Sequence, residues 1–219
     1  MEIAKDLSAE SYTDYLERLL KGDEEGCLHI ARQTAIDLAG LHSLYIGLIQ
    51  SSQYRVGELW EAGSISVATE HMATATNTFV ALSCYAPIAR RAAGGPKATV
   101  ACTLDEFHEL GARLTADLLE RDGWDVDYYG ASLPVRDLIG AVRDRRPRVL
   151  GLSAALTQHL GGLREVVDAV REALGGDSPP IVVGGNAFRP APDLWKLVGA
   201  DRYAPDASAA VEVLREFRD

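Results

Sequence analysis

The period of the hydrophobic pattern changes near residue 93. Up to there, apolar residues recur at the three-and-four spacing of one helix face, and strand-like runs are almost absent. The spacing predicts a helix over about Ser11 to Lys21, with Leu16, Leu19 and Leu20 inward and Gly22 ending it. A second covers about Glu24 to Leu38, with Cys27, Ile30, Ala31 and Leu38 on one face and Gly40 as the breaker. A third runs from about Leu41 to Trp60 through Leu44, Tyr45, Leu48, Ile49 and Leu59, and Gly63 stops it. The fourth, capped by Ser64 or Ser66, runs to about Arg91 and carries Val67, His71, Ala75, Phe79 and Leu82. Four helices joined by short loops read as a bundle.

Ala93-Gly94-Gly95-Pro96 reads as a linker. Beyond it, strands predicted near 98–102, 125–129, 148–153, 180–184 and 201–204 alternate with helices near 109–122, 135–145, 161–174 and 206–217, with a shorter helical turn at 191–198. Such a βα repeat predicts a parallel, doubly wound sheet. The expected architecture is α/β plus α: a four-helix bundle over 1–93, then a five-stranded Rossmann-like (flavodoxin-like) domain over 97–219. Right-handed crossovers bring the strand ends near His108, Ser153 and Gly184 to one edge of that sheet.

Composition narrows the partners. A net charge of −10 opposes direct binding to the DNA backbone, which needs clustered cations. The one basic run, Arg143 to Arg148, reads as a solvated helix end. No apolar run is long enough to span a bilayer, and the acidic start Met1-Glu2-Ile3-Ala4-Lys5-Asp6 lacks a signal-peptide pattern, so a cytoplasmic protein is expected. Cys27, Cys84 and Cys102 lie far apart in apolar segments, without zinc spacing, and are expected as buried free thiols.

The chemistry concentrates at strand ends. Glu106-Phe107-His108-Glu109-Leu110-Gly111 follows the apolar run Thr99-Val100-Ala101-Cys102 and precedes a helical pattern. A histidine two residues after a carboxylate therefore sits where ligands bind in open α/β sheets. A neighbouring carboxylate can fix an imidazole's tautomer and raise its basicity as a metal ligand, and Gly111 lets the backbone come close to something bulky. On its own the stretch also fits an ordinary loop. Forty-one residues later, Ser153-Ala154-Ala155 ends a second strand, and after a further twenty-eight, Gly184-Gly185 ends a third. Small residues at neighbouring strand ends would leave a slot for a long ligand tail.

This series resembles the cobalamin-binding domain of methionine synthase, the mutases and the cobalamin photoreceptors: Asp/Glu-x-His-x-x-Gly, then Ser-x-Leu, then Gly-Gly. The resemblance implies that His108 is the lower axial cobalt ligand and Glu106 its hydrogen-bonding partner. Ser153, Ala155, Gly184 and Gly185 would line the slot for the displaced dimethylbenzimidazole tail. Ala155 departs from the pattern, standing where Leu is commonest.

Trp60, nine intervening residues and Glu70-His71 lie at one end of the bundle. By themselves they read as core filler and a capped, exposed helix start. They also resemble the signature of CarH-type light-sensing cobalamin domains, where the bundle covers the upper face of adenosylcobalamin. That resemblance implies that Trp60, Val67, Glu70 and His71 pack against the 5′-deoxyadenosyl group. Glu61 stands where CarH-type proteins carry a histidine that binds cobalt after photolysis, so His71 or water would fill that position, or the light state would differ. The match covers the sensory unit and no DNA-binding domain, which brings in the photocobilins, whose similar unit also holds a bilin such as biliverdin. Tyr45, Tyr54 and Arg55 are read first as core or surface residues, and as neighbours of a bilin second. His29 and His42 read as ordinary helical residues, and His159 as a candidate for the corrin edge.

The function expected on this resemblance is a non-enzymatic photoreceptor that signals to an effector protein, with light-dependent self-association as the family's habit. The alternative is a corrinoid methyl-carrier protein of a methyltransferase system. Its usual motif, Asp-x-His-Asp-x-Gly-Lys-Asn, is altered here at Glu109 and at Ala112-Arg113.

Overall fold

The computed structural model describes residues 8–35, 37–88 and 94–218. The chain divides into two compact units, Met1–Ala89 and Arg90–Asp219.

The first unit is helical. Helix α1 (Ala9–Lys21) is capped by Ser8, whose hydroxyl accepts from the Ser11 amide, and ends at Gly22 in the left-handed region. Tyr15 and Leu19 are its buried residues, with Leu16 and Leu20 half-buried beside them. Helix α2 (Glu24–Thr34) buries Cys27, Ile30 and Ala31. The sequence reading carried this helix to Leu38 and broke it at Gly40. In the structure the break falls earlier, because Asp37 is extended and its carboxylate accepts from the Gly40 amide, capping a new helix, α3 (Leu38–Ser43). An Asp N-cap outweighs the helix propensity of the residues before it. Gly40 lies in the first turn of α3 for a different reason: a Cβ there would stand 2.1 Å from the Thr34 carbonyl oxygen.

Helix α3 continues through a wider π-helical stretch, Leu44–Gln50, into α4 (Ser51–Glu61), so the third rod of the bundle starts at Leu38 rather than Leu41. Gly63, at φ +68°, turns the chain, and Ser66 rather than Ser64 caps α5 (Val67–Ile88) by accepting from the Thr69 amide. The predicted end of this helix near Arg91, and Ala93 of the predicted linker, lie outside the described residues. Helix α5 is apolar on two sides. Ala73, Val80, Ala81 and Cys84 enter the core with Thr76 and Asn77. The row singled out by spacing, Val67, His71, Ala75, Phe79 and Leu82, is exposed instead.

The second unit is a five-stranded sheet in the order β2-β1-β3-β4-β5, parallel throughout. Its strands are β1 (Lys97–Cys102), β2 (Asp125–Tyr128), β3 (Val149–Ser153), β4 (Ile181–Gly184) and β5 (Arg202–Ala204). The helices between them are α6 (Leu110–Arg121), α7 (Val135–Arg145), α8 (Leu160–Leu174), the short α9 (Leu194–Leu197) and α10 (Ala207–Arg215). Pairs α6 with α10 and α7 with α8 pack together, and covering both faces is what makes β1, β3 and β4 near-continuous apolar runs. Leu150, Leu152, Ile181 and Val183 join Leu138, Leu163, Val167 and Phe188 in one core. Strand order reverses between β1 and β3, the crevice where such sheets bind ligands.

The three cysteines are buried and free, and burial pushes the Cys27 and Cys102 thiols up to about 12. Among the described residues no helix is long and apolar enough to cross a membrane.

Substituting Gly40→Ala should destabilise the first unit by about 2 kcal/mol, since a fixed carbonyl occupies the space its methyl needs. Urea unfolding monitored by circular dichroism measures this. An unchanged midpoint would remove the close approach as the reason for the glycine.

Candidate functional site

The last rung of the sheet aligns Cys102, Ser153, Gly184 and Ala204 across four strands. Three of the loops the sequence singled out therefore leave the sheet side by side. The loop after β1 turns sharply, with Asp105 in the left-handed region and the Glu106 amide donating to the Thr103 carbonyl. That turn aims the Glu106 side chain into the protein, where it is fully buried.

Glu106 is the centre of the arrangement. One oxygen, Oε1, accepts from the His108 amide at 3.0 Å and from His108 Nδ1 at 2.6 Å. The other, Oε2, accepts from the Ala155 amide at 2.7 Å and from His159 Nδ1 at 2.8 Å. These four bonds use the full acceptor capacity of a carboxylate. Burial alone would raise its pKa, but the two imidazoles and two amides overcome that and hold it at about 2. Glu106 is thus an anion throughout the neutral range.

The consequence for His108 is chemical. With Nδ1 donating to a buried anion, the neutral ring carries its ligating lone pair on Nε2 and becomes a stronger donor. Its side chain is 52% exposed, against 0% for Glu106, so a fixed base presents a half-open imidazole. Among the described residues no group of three or more ligating side chains gathers, so a metal held through this ring would take its other ligands from a cofactor or from water. The surroundings suit a large apolar group: Phe107 is 69% exposed, and Leu104 and Tyr129 are also exposed on the adjoining loops. The donor set therefore fits a metal-centred macrocycle with a single protein ligand.

Other expected residues take distinct places. Ala155 contributes its backbone amide, which explains why the side chain at that position is not critical to the carboxylate clamp. Ser153 and Gly184 are paired on neighbouring strands. Gly185 has φ +107°, and a Cβ there would lie 2.2 Å from the Ala154 carbonyl oxygen, so the fold itself requires this glycine. Among the described residues outside its own stretch of helix, nothing lies within 4 Å of where a Cβ on Gly111 would be.

The bundle residues, open to two readings, take these places, with Ser66 capping the helix start and His71 exposed on it. Trp60 is 46% exposed on the last turn of α4, which is not a core position. Val67 is exposed too. Glu70 is not a loose helix start: its side chain is 16% exposed, accepts from Thr74 Oγ1 at 2.8 Å and contacts the exposed His71 ring. Glu61 is exposed beside Trp60. Tyr45 is a core residue and Arg55 pairs with Glu58 on the surface.

Two participants were missed by sequence reasoning. His159 was placed at the corrin edge, whereas it is the second imidazole on Glu106. Its signal was its distance beyond the strand end at Ser153, which reaches the first turn after β3. Glu109, read only as a motif departure, accepts from Tyr128 Oη at 3.1 Å and the Ala131 amide at 3.0 Å. It ties the loop after β2 to the loop after β1, as does Ser132, whose amide donates to the Glu106 carbonyl.

Comparison with known proteins follows this geometry. A family model described as a B12 binding domain matches residues 96–214, and a second of the same description matches 12–80. Dimethylamine corrinoid protein 3 of Methanosarcina mazei is 31% identical over 113 residues, covering 51% of this chain and 66% of that protein. The HTH-type transcriptional repressor CarH of Myxococcus xanthus is 34% identical over 136 residues, covering 61% of this chain and 44% of its own length. The chain thus spans about half the length of the curated relatives it matches. Among solved structures, the Methanosarcina barkeri monomethylamine corrinoid protein superposes with a TM-score of 0.82 at 18% identity, over 94% of this chain and 98% of that one, a likeness of fold.

Protonating Glu106 in the folded state breaks its hydrogen bonds, whereas in the unfolded chain it protonates near 4.5. Its contribution to stability is therefore complete above about pH 4.5 and is lost as pH falls toward about 2. Glu106→Gln should cost about 2 kcal/mol or more at neutral pH and flatten this acid limb, while His159→Ala should cost about 1 kcal/mol. Denaturant midpoints measured across pH test both; an unaltered acid limb in Glu106→Gln would contradict the assignment.

Proposed function

The chain belongs to the B12 binding domain family, and from that premise we propose that it is a light-sensing cobalamin-binding protein. Its cofactor is a cobalamin. In this reading His108 would hold the cobalt through Nε2, with Glu106 holding the ring and His159 and Ala155 holding Glu106. Ser153, Ala155, Gly184 and Gly185 line the slot for the displaced tail, and Gly111 allows close approach of the corrin.

The observation that carries the light-sensing part is the state of Trp60 and Glu70. A large exposed aromatic and a positioned carboxylate stand at one end of the bundle. An aromatic face suits a nucleobase and a carboxylate suits ribose hydroxyls. We assign Trp60, Val67, Glu70 and His71 as the cover of an adenosyl upper ligand. When bound, adenosylcobalamin supplies a cobalt–carbon bond that visible light cleaves. Loss of an adenosyl group would remove its contacts with Trp60 and Glu70, and that differential binding energy would shift a conformational equilibrium. Moving a population from mostly one state to mostly the other takes about 5 kcal/mol, the order of burying one aromatic face and a nucleoside. The output passes to an effector protein or to a second copy of the chain. A bilin such as biliverdin is a further chromophore to test.

A second reading, a corrinoid methyl carrier working beside a methyltransferase, draws on the dimethylamine corrinoid proteins matched at 31% identity. It requires methylation of the reduced cofactor, which separates it from the first.

Absorption spectra of the protein loaded with adenosylcobalamin in the dark, with and without biliverdin, should change lastingly after green light. The base-off, His-on spectrum should be lost in His108→Ala. Trp60→Ala should weaken adenosylcobalamin binding about tenfold and leave hydroxocobalamin binding unchanged, as loss of one packed aromatic face implies. No light-driven change, together with methyl transfer to the reduced protein, would replace the first reading by the second.

A further inference from the structure

A single file of hydrogen bonds crosses the bundle and ends on Glu70. Tyr15, on α1, donates from Oη to Asn77 Oδ1 at 2.8 Å, and both side chains are fully buried. Asn77, on α5, donates from Nδ2 to Gln53 Oε1 on α4 at 3.0 Å and to Ser52 Oγ at 3.3 Å. Gln53 Nε2 donates to Thr74 Oγ1 at 2.6 Å, and Thr74 Oγ1 donates to Glu70 Oε1 at 2.8 Å. The file touches three helices and returns once to α5.

Its direction is fixed by its ends. A carboxylate only accepts, so Thr74 must spend its proton on Glu70. Thr74 can then only accept from Gln53, which orients the Gln53 amide, and that amide in turn orients Asn77. At the far end, burial pushes the Tyr15 phenol well above its ordinary range, so it remains a donor. Each bond polarises the next in the same sense, toward the anion. Buried polar groups that only set the register of helices could end on any neutral acceptor. This file ends on a charged group beside the turn between α4 and α5, where Trp60 stands exposed.

We infer that Thr74, Gln53, Asn77 and Tyr15 are positioning residues that orient the Glu70 carboxylate as an acceptor for a hydroxyl-bearing upper ligand, and so set the preference for an adenosyl over a methyl group. The inference rests on the reading of Glu70 given above. Thr74 fixes one oxygen, Oε1, and the exposed His71 ring meets the other, Oε2, so the buried hold on the carboxylate plane comes from Thr74. A preset acceptor rewards a ligand with hydroxyl donors and gives nothing to a methyl group. Freeing the carboxylate to rotate removes that selectivity without touching the cobalt side of the site.

The test is equilibrium binding of adenosylcobalamin and methylcobalamin to the full chain in the dark, followed by absorbance. The wild-type protein should favour the adenosyl form, and Glu70→Gln should reduce the ratio of affinities about tenfold. Thr74→Val, which keeps shape and removes the hydroxyl, should reduce the ratio about threefold to tenfold with methylcobalamin affinity unchanged. Thr74→Ser should restore it. If the wild type shows no adenosyl preference, or Glu70→Gln leaves the ratio intact, the reading of Glu70 is wrong. If Glu70→Gln acts and Thr74→Val does not, or weakens both cobalamins equally, the file is only structural and the inference falls alone. Should Thr74→Val not fold, Gln53→Met breaks the file one bond further back and is judged by the same ratio.

Discussion

A buried, ionised carboxylate with no vacant acceptor position is the constraint on which the α/β unit's working edge depends. Placing Glu106 out of water is costly unless every lone pair is used. The sheet meets that condition by bringing a backbone amide from the loop after β3 and an imidazole from the turn beyond it to the same carboxylate that orients His108. The requirement runs both ways. The loop after β1 needs the loop after β3 to satisfy its anion, and the exposed imidazole inherits its rigidity from both. Glu109 and Ser132 extend the same logic to the loop after β2, so three loops are fastened to one another around His108.

The bundle solves a related problem with neutral groups. Its core contains Tyr15, Ser52 and Asn77, fully buried polar residues that would destabilise it if unpaired. They are paired in sequence, and the pairing leads outward to Glu70 rather than closing on itself. The core face of helix α5 is built mostly of small and polar residues, Ala73, Thr76, Asn77 and Ala81 beside Val80, while Val67, Phe79 and Leu82 face outward. The spacing that marked those outward residues is a true helical stripe, and its burial inside the unit was the part that periodicity could not supply.

Much of the architecture was legible because alternating apolar runs and helical patterns leave little freedom in a parallel sheet; every predicted strand lies within a residue or so of its place. Strand-end chemistry was legible for the same reason, since topology alone sends 106–111, 153–155 and 184–185 to one edge. What escaped were contacts that depend on backbone conformation over short stretches. Asp37 as an N-cap competes with Gly40 as a breaker, and the sequence shows both signals without ranking them. His159 sits on a short 3₁₀ turn whose direction no periodicity encodes. Gln53, Thr74 and Asn77 belong to no sequence motif, and only their mutual reach across α4 and α5 links them.

The clamp on Glu106 also has a place in the order of folding. It joins residues 49 and 53 positions apart, with α6, β2, α7 and β3 in the chain between them. Closing so long a loop costs entropy that is recovered only when the parallel pairing of β1 and β3 is in register. Until then Glu106 is a hydrated carboxylate on an open loop and His108 an undirected imidazole. The arrangement around His108 thus depends on that long-range pairing, and a misregistered sheet leaves its imidazole without the carboxylate that orients it.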